Sequence, residues 1–196
     1  NTKIVGISKI DPLGLAYVSS TYNCLIGFGG EALNASEFVK LLKHPSIKKY
    51  SPKVIVPGQG AWQIAEANMQ EKLGIDHIFQ GEGEEKVVPV FKKLLNDEKV
   101  PSFYEAPHPK RDFIPTIKHA SSYGMVEIMR GCGRGCAFCS PTMRTRHSFP
   151  INHIMKEVET NINQGSKSIF TVTEDIFLYK CKKNFIPNTP EVVKLY

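Results

Sequence analysis

No apolar run in these 196 residues approaches the roughly 18 needed to span a bilayer, which excludes a transmembrane helix within them. The residues from Asn1 to Gly14 contain no basic stretch leading into an apolar one, so no secretory signal is expected there. Cysteine is scarce and odd in number: Cys24, Cys132, Cys136, Cys139 and Cys181, three of them within eight residues. That pattern is a poor disulfide framework. Thirteen prolines and 15 glycines without a period exclude a collagen-like rod. With 41% hydrophobic and 22% charged residues and a mean hydropathy of -0.21, the chain is a soluble globular protein rather than a disordered tail. Clustered thiols without disulfide partners are metal or redox ligands of a reducing compartment, so a cytoplasmic location is expected.

Charge is unevenly distributed. Residues 1–98 balance 11 basic against 11 acidic side chains, and the whole formal +6 sits in the second half. A basic half suits nucleic acid or an anionic cofactor.

The first half alternates short apolar runs with helical patterns. Strands are expected at Lys3-Ile4-Val5-Gly6-Ile7, Lys53-Val54-Ile55-Val56 and 75–79. Asn34-Ala35-Ser36-Glu37 has capping-box spacing before Phe38, Leu41 and Leu42, and Pro45 ends that helix. Further helices are expected over 62–73, closed by Gly74, and around Val87, Val88, Phe91, Leu94 and Leu95, with Pro89 tolerated only in the first turn. Strand–helix alternation of this kind means an α/β fold with a parallel, doubly wound sheet over 1–98. Residues 99–124, punctuated by Pro101, Pro107, Pro109 and Pro115, read as a linker. A second alternation fills 125–196: a strand at Met125-Val126-Glu127-Ile128-Met129, a helix with Ile151, Ile154, Met155, Val158 and Ile162 on one face, and a strand over 168–173.

Directly after the strand at 125–129 comes Cys132-Gly133-Arg134-Gly135-Cys136-Ala137-Phe138-Cys139, a C-x3-C-x2-C loop. Three thiolates this close can hold three corners of one inorganic cluster, and Gly131, Gly133 and Gly135 give the backbone freedom to wrap it. Three local ligands leave one iron of a four-iron cluster open. No Asp or Glu occurs between Glu127 and Glu157, whereas Arg130, Arg134, Arg144, Arg146 and Lys156 do. These cations are expected to lower the thiol pKa values and offset the charge of a thiolate-ligated cluster. Zinc, with Cys181, Cys24, His147 or His153 as fourth ligand, and plain thiols remain open on the residues alone. Cys24 and Cys181 read as isolated structural thiols.

The C-x3-C-x-aromatic-C loop after a strand resembles the radical S-adenosylmethionine (radical SAM) superfamily. The resemblance implies that Cys132, Cys136 and Cys139 bind a [4Fe-4S] cluster, and that its fourth iron is chelated by the amino and carboxylate groups of SAM. Electron transfer then yields methionine and a 5′-deoxyadenosyl radical, with an external donor supplying the electron. It further implies that Phe138 packs beside the adenine and that Glu174-Asp175 hold the SAM amino group, although Thr173-Glu174-Asp175 stands where the family usually has Gly-Gly-Glu.

Gly58-Gln59-Gly60 follows a strand and opens a helix, but Gln63 occupies the third position of a dinucleotide fingerprint. It reads as a tight turn or as a backbone approach to a phosphate-bearing tail. Gly27-Phe28-Gly29-Gly30 is a weaker signal of the same kind. Together with Leu73-Gly74-Ile75-Asp76-His77-Ile78 and Gly81-Glu82-Gly83-Glu84-Glu85, this turn resembles the cobalamin-binding domain that precedes the radical SAM core in one large subgroup. The resemblance implies that Gly58, Gly60, Gly81 and Gly83 border the cofactor. The D-x-H-x-x-G motif is absent, so no cobalt ligand is named, and His77 reads as a strand residue.

A radical SAM barrel needs about six βα units of about 30 residues, and only its beginning fits into 125–196. The opening Asn1-Thr2-Lys3 also runs straight into an apolar strand. The chain is therefore expected to be a fragment cut at both ends, a Rossmann-like cobalamin-type domain followed by the first βαβ part of a radical SAM barrel. By itself it is expected to bind hydroxocobalamin weakly and to cleave SAM slowly or not at all. The expected reaction of the whole enzyme is cobalamin-dependent methyl transfer or radical ring closure. Methylthiolation of tRNA is the second reading, and a non-enzymatic zinc or iron–sulfur module the third.

Overall fold

Val54, Ile55 and Val56 are consecutive and all buried. A strand covered on both faces is what a parallel sheet between helices requires. In the computed structural model, which describes residues 2–26, 30–110 and 113–196, this run is strand β2 (Lys53–Gly58). It lies parallel to β1 (Ile4–Gly6) and to β3 (His77–Gln80), and β4 (Phe103–Glu105) extends the sheet in the order β1-β2-β3-β4. The register sets Val5 beside Val54, Val56 beside Ile78, and Phe79 beside Tyr104.

Alternation along the strands sends side chains to two cores. On one side Ile7, Val54, Val56 and Ile78 pack with Phe38 and Leu42 of helix α2 (Leu33–Leu42) and with Ala61 and Ile64 of α4 (Ala61–Glu66). On the other, Ile55 and Phe79 meet Val90 and Leu94 of α5 (Val87–Leu95). Pro89 lies in the first turn of α5, where it removes no helical hydrogen bond. Helices thus cover both faces, as the strand–helix alternation predicts.

Several local expectations need correction. Asn34 does not cap α2: the helix begins at Leu33, and the Asn34 amide donates instead to Asp11 O at 2.8 Å and Asp11 Oδ2 at 3.1 Å. The helix expected over 62–73 stops at Glu66 and continues as turns. Helices α1 (Tyr17–Leu25) and α3 (Pro45–Tyr50) were not expected. Gly27, Phe28 and Gly29 of the weaker glycine signal lie outside the described residues.

The chain divides into two compact units, Asn1–Phe113 and Ile114–Tyr196. The stretch read as a linker is shared between them. Its Phe103–Glu105 is the fourth strand of the first unit. Its residues 114–124 are pinned within the second unit by α6 (Ile151–Asn163): Ile117 N–H donates to Glu157 Oε1 at 3.2 Å, and Ser121 N–H to Asn161 Oδ1 at 2.8 Å. This explains a further difference. Glu157 and Asn161 take inward positions on α6 to satisfy those backbone donors, while Met155 and Ile162, expected in the core, are 46% and 54% exposed.

In the second unit, β5 (Met125–Glu127) lies parallel to β8 (Phe170–Val172), with α6 between them in sequence. The strand expected over 125–129 divides, because β6 (Met129–Arg130) pairs antiparallel with β7 (His147–Ser148) instead. Val126, Ile128, Met129, Phe149, Ile154, Leu178 and Tyr179 form the core. Tyr179 is fully buried, and its hydroxyl donates to Phe149 O at 2.8 Å. The tail, including α7 (Thr189–Val193), docks through Lys180 Nζ and Glu191 Oε2 at 2.8 Å. Among the described residues no helix is long and apolar enough to cross a membrane.

Candidate functional site

The antiparallel pair β6–β7 fixes the mouth of the cysteine loop, since Met129 faces Ser148 and Arg130 faces His147. Everything between, residues 131–146, is an excursion from the strand end. Gly131, Gly133 and Gly135 all hold positive φ, at 61°, 76° and 68°. At Gly131 the need is also steric, because a Cβ would lie 2.0 Å from Thr145 O. The last two cysteines are joined by a turn, with Cys139 N–H donating to Cys136 O at 3.1 Å. Ala137 and Phe138 sit at its corners, and Phe138 is 82% exposed.

Cys139 sits among like charges as well as in partial burial. Burial pushes the Cys139 thiol up, and the charges of Cys132, Cys136 and Glu174 add to the effect. At Cys139 this corrects the expectation that the arginines lower the thiol pKa. Their charge is engaged elsewhere: Arg134 pairs with Asp175 at 3.0 Å, Arg130 with Glu127 at 2.9 Å, and Arg144 donates to backbone carbonyls.

Glu174 and Asp175 follow β8 and separate in role. Asp175 accepts from Arg134 through Oδ2 and from Phe177 N–H through Oδ1 at 3.0 Å, so it caps the turn Ile176–Leu178. Glu174 is the exposed member, and its charge is felt at Cys139. Of the two carboxylates, Asp175 is taken up by the loop and the turn, and Glu174 is exposed.

Among the described residues no three His, Cys, Asp or Glu side chains, Cys132, Cys136 and Cys139 included, are gathered into a metal site. A tetrahedral zinc needs its thiolates about 2.3 Å from one point. A four-iron cluster takes one thiolate at each of three irons, which suits three thiols spread along a glycine-hinged loop. Cys181 packs against the core of the second unit and Cys24 is exposed on α1, in the other unit.

The glycines of the first unit answer to the chain itself. A Cβ at Gly60 would lie 2.4 Å from both Lys9 O and Ile10 O, and one at Gly58, φ 102°, 2.8 Å from Ser8 Oγ. Gly81, φ 103°, is crowded by Ala106 O at 2.9 Å, whereas Gly83 meets only ordinary contact with Val87. The close approach that the glycines at 58 and 60 allow is made by the loop after β1. His77 is a strand residue, its Nδ1 2.9 Å from Pro101 O.

Sequence reasoning missed a cavity of about 340 Å³ in the second unit, lined by Met125, Glu127, Arg130, Phe149, His153 and Glu157 among others. His153 stacks on Phe149 with ring centroids 4.8 Å apart. No cysteine lines this cavity, and helix periodicity could not reveal residues gathered from β5, β6 and α6.

No family model matches the chain. It is 28% identical over 160 residues to a tRNA-2-methylthio-N(6)-dimethylallyladenosine synthase of Thermotoga petrophila, covering 80% of this chain and 35% of that protein. It is 44% identical over 61 residues to a ribosomal protein uS12 methylthiotransferase of Petrotoga mobilis, covering 30% of this chain and 14% of that one. Its fold is similar to that of TsrM, a radical S-adenosylmethionine methyltransferase of Kitasatospora setae solved with tryptophan substrate and a SAM analogue. The TM-score is 0.64 at 13% identity, over 90% of this chain and 38% of the other. The chain spans about a third of the length of the first of these curated relatives. The chain that carries this cysteine loop is thus similar in sequence to two methylthiotransferases and in fold to a radical S-adenosylmethionine methyltransferase.

Proposed function

We propose that this chain carries the cluster-binding loop of an enzyme that reductively cleaves SAM, with Cys132, Cys136 and Cys139 holding a [4Fe-4S] cluster. The observation that carries the reading is the loop itself: Gly131, Gly133 and Gly135 at positive φ turn the backbone around the three cysteines, and the Cys139 N–H to Cys136 O bond joins the last two in one turn. A cluster held by these three thiols would supply an open iron site for SAM and would pass on the electron, taken from an external donor, that cleaves the sulfonium. Glu174 accepts a hydrogen bond from the SAM amino group. Asp175 caps the turn that follows β8, and Phe138 offers an exposed aromatic face to the adenine. Cobalamin-dependent methyl transfer or radical rearrangement is the reaction proposed for the whole enzyme, with the parallel sheet of the first unit as the cobalamin platform.

A second reading, methylthiolation of an RNA or a ribosomal protein, is favoured by the names of the sequence relatives. The test common to both is the electron paramagnetic resonance spectrum of the anaerobically reconstituted, dithionite-reduced chain. SAM is expected to change that spectrum, and Glu174→Gln to raise the SAM concentration needed. A spectrum indifferent to SAM overturns the reading. Separating the two reactions requires hydroxocobalamin titration of a chain extended to the full gene: saturable binding favours methyl transfer or rearrangement, and its absence favours methylthiolation.

A further inference from the structure

The two limbs of the cysteine loop are tied to two consecutive residues. The carbonyl of Met143 accepts from the N–H of Cys132 at 3.2 Å and of Gly133 at 3.4 Å. One nitrogen of the next residue, Arg144 Nη2, donates to the carbonyls of Ala137 and Cys139, both at 3.2 Å. Residue 143 thus holds the first cysteine and residue 144 the last. Between them the back of the loop is pressed on the same segment, since a Cβ at Gly131 would lie 2.0 Å from Thr145 O and one at Gly133 3.1 Å from Arg146 Cβ.

The geometry points to Arg144 as a positioning residue for cluster ligation: by bridging the Ala137 and Cys139 carbonyls beside the Met143 anchor of Cys132, it sets the separation of the first and last thiols. This rests on the iron–sulfur reading of the loop. Two N–H groups on one planar nitrogen point in fixed, divergent directions, so the guanidinium holds both carbonyls at once. A lysine carries its donors on one freely rotating ammonium and keeps the pair less rigidly. Arg134 supplies the contrast: it is in the same loop and has the same charge, but its partner is the Asp175 carboxylate rather than the loop backbone.

The test compares the wild-type chain with Arg144→Met, Arg144→Lys and Arg134→Met. Far-ultraviolet circular dichroism and thermal unfolding are read first, on the metal-free proteins, and Arg144→Met is expected to match wild type. After anaerobic reconstitution, Arg144→Met is expected to lose iron to a chelator about tenfold faster than wild type, the scale set by losing hydrogen bonds from a charged donor. Arg144→Lys should fall between them, and Arg134→Met close to wild type. Equal rates for Arg144→Met and wild type overturn the assignment. So does an equal effect of Arg134→Met, which makes charge alone the cause, or an unfolded metal-free Arg144→Met, which makes the residue part of the fold.

If the wild-type chain takes up no cluster, the iron–sulfur reading fails. The positioning claim is then read from iodoacetamide alkylation of the metal-free chain, with exposed Cys24 as internal reference. Faster modification of Cys139 in Arg144→Met supports it, and an unchanged Cys139:Cys24 ratio overturns it.

Discussion

Arg134, placed between the first and second cysteines, donates to Asp175 Oδ2 at 3.0 Å and so ties the cysteine loop to the end of β8. The pair is partly exposed, with 48% of the Arg134 side chain and 25% of the Asp175 side chain accessible. Its coupling in a double-mutant cycle is therefore expected to be only about 0.5 kcal/mol and to shrink in high salt. Asp175→Ala alone should cost more, about 1 kcal/mol, because Phe177 N–H also loses its cap. Urea unfolding of the metal-free chain at low and high salt measures both. A coupling that salt leaves unchanged would show that the pair does not act through exposed charge.

Asp11 organises the loop after β1. It is 6% exposed and accepts from Ala16 N–H at 3.0 Å, Gln63 Nε2 at 2.8 Å and Asn34 Nδ2 at 3.1 Å. Burial pushes its carboxyl up, but hydrogen bonds from Ser19, Ala16, Gln63 and Asn34 outweigh that and hold it below the usual value. A carboxyl lowered by folding stabilises above its unfolded pKa of about 3.9, and that contribution disappears as pH falls through the folded value. Unfolding free energy should therefore be insensitive to this group from neutral pH down to about 4 and decline below it. Asp11→Asn should lose about 1–3 kcal/mol at neutral pH and flatten the acid decline. An Asp11→Asn chain with the wild-type acid profile would assign that decline to other groups.

The glycines of the first unit make a contrast pair. Gly60→Ala forces a Cβ against two backbone carbonyls and is expected to cost more than about 2 kcal/mol. Gly83→Ala meets only the Val87 side chain at 3.5 Å and should stay within about 0.5 kcal/mol of wild type. Denaturant unfolding of the two variants decides it. Tolerance at Gly60 would mean the loop after β1 yields, and would free that turn to approach a ligand.

The parallel strands and the position of the cysteine loop were legible because their signals are local: buried runs such as Val54-Ile55-Val56, and three thiols within eight residues. Strand β4 was hidden because three residues amid prolines carry no period, and it exists only by pairing with β3. Helix α1 gave no core stripe, its Tyr17, Val18, Tyr22 and Leu25 all being exposed. The inward Glu157 and Asn161 on α6 answer to backbone donors about 40 residues away, a demand no helical pattern records. At the site, spacing singled out the cysteines but treated the arginines as one field of charge. Their separate partners, a carboxylate for Arg134 and two carbonyls for Arg144, depend on the folded path of the loop.

The central claim is that Cys132, Cys136 and Cys139 together hold one iron–sulfur cluster, and iron and acid-labile sulfide analysis after anaerobic reconstitution tests it most directly. The account predicts about four iron and four sulfide per chain. Cys136→Ala should lose them, while Cys24→Ala and Cys181→Ala keep them. Zinc in place of iron, with the metal removed by Cys181→Ala, would contradict it.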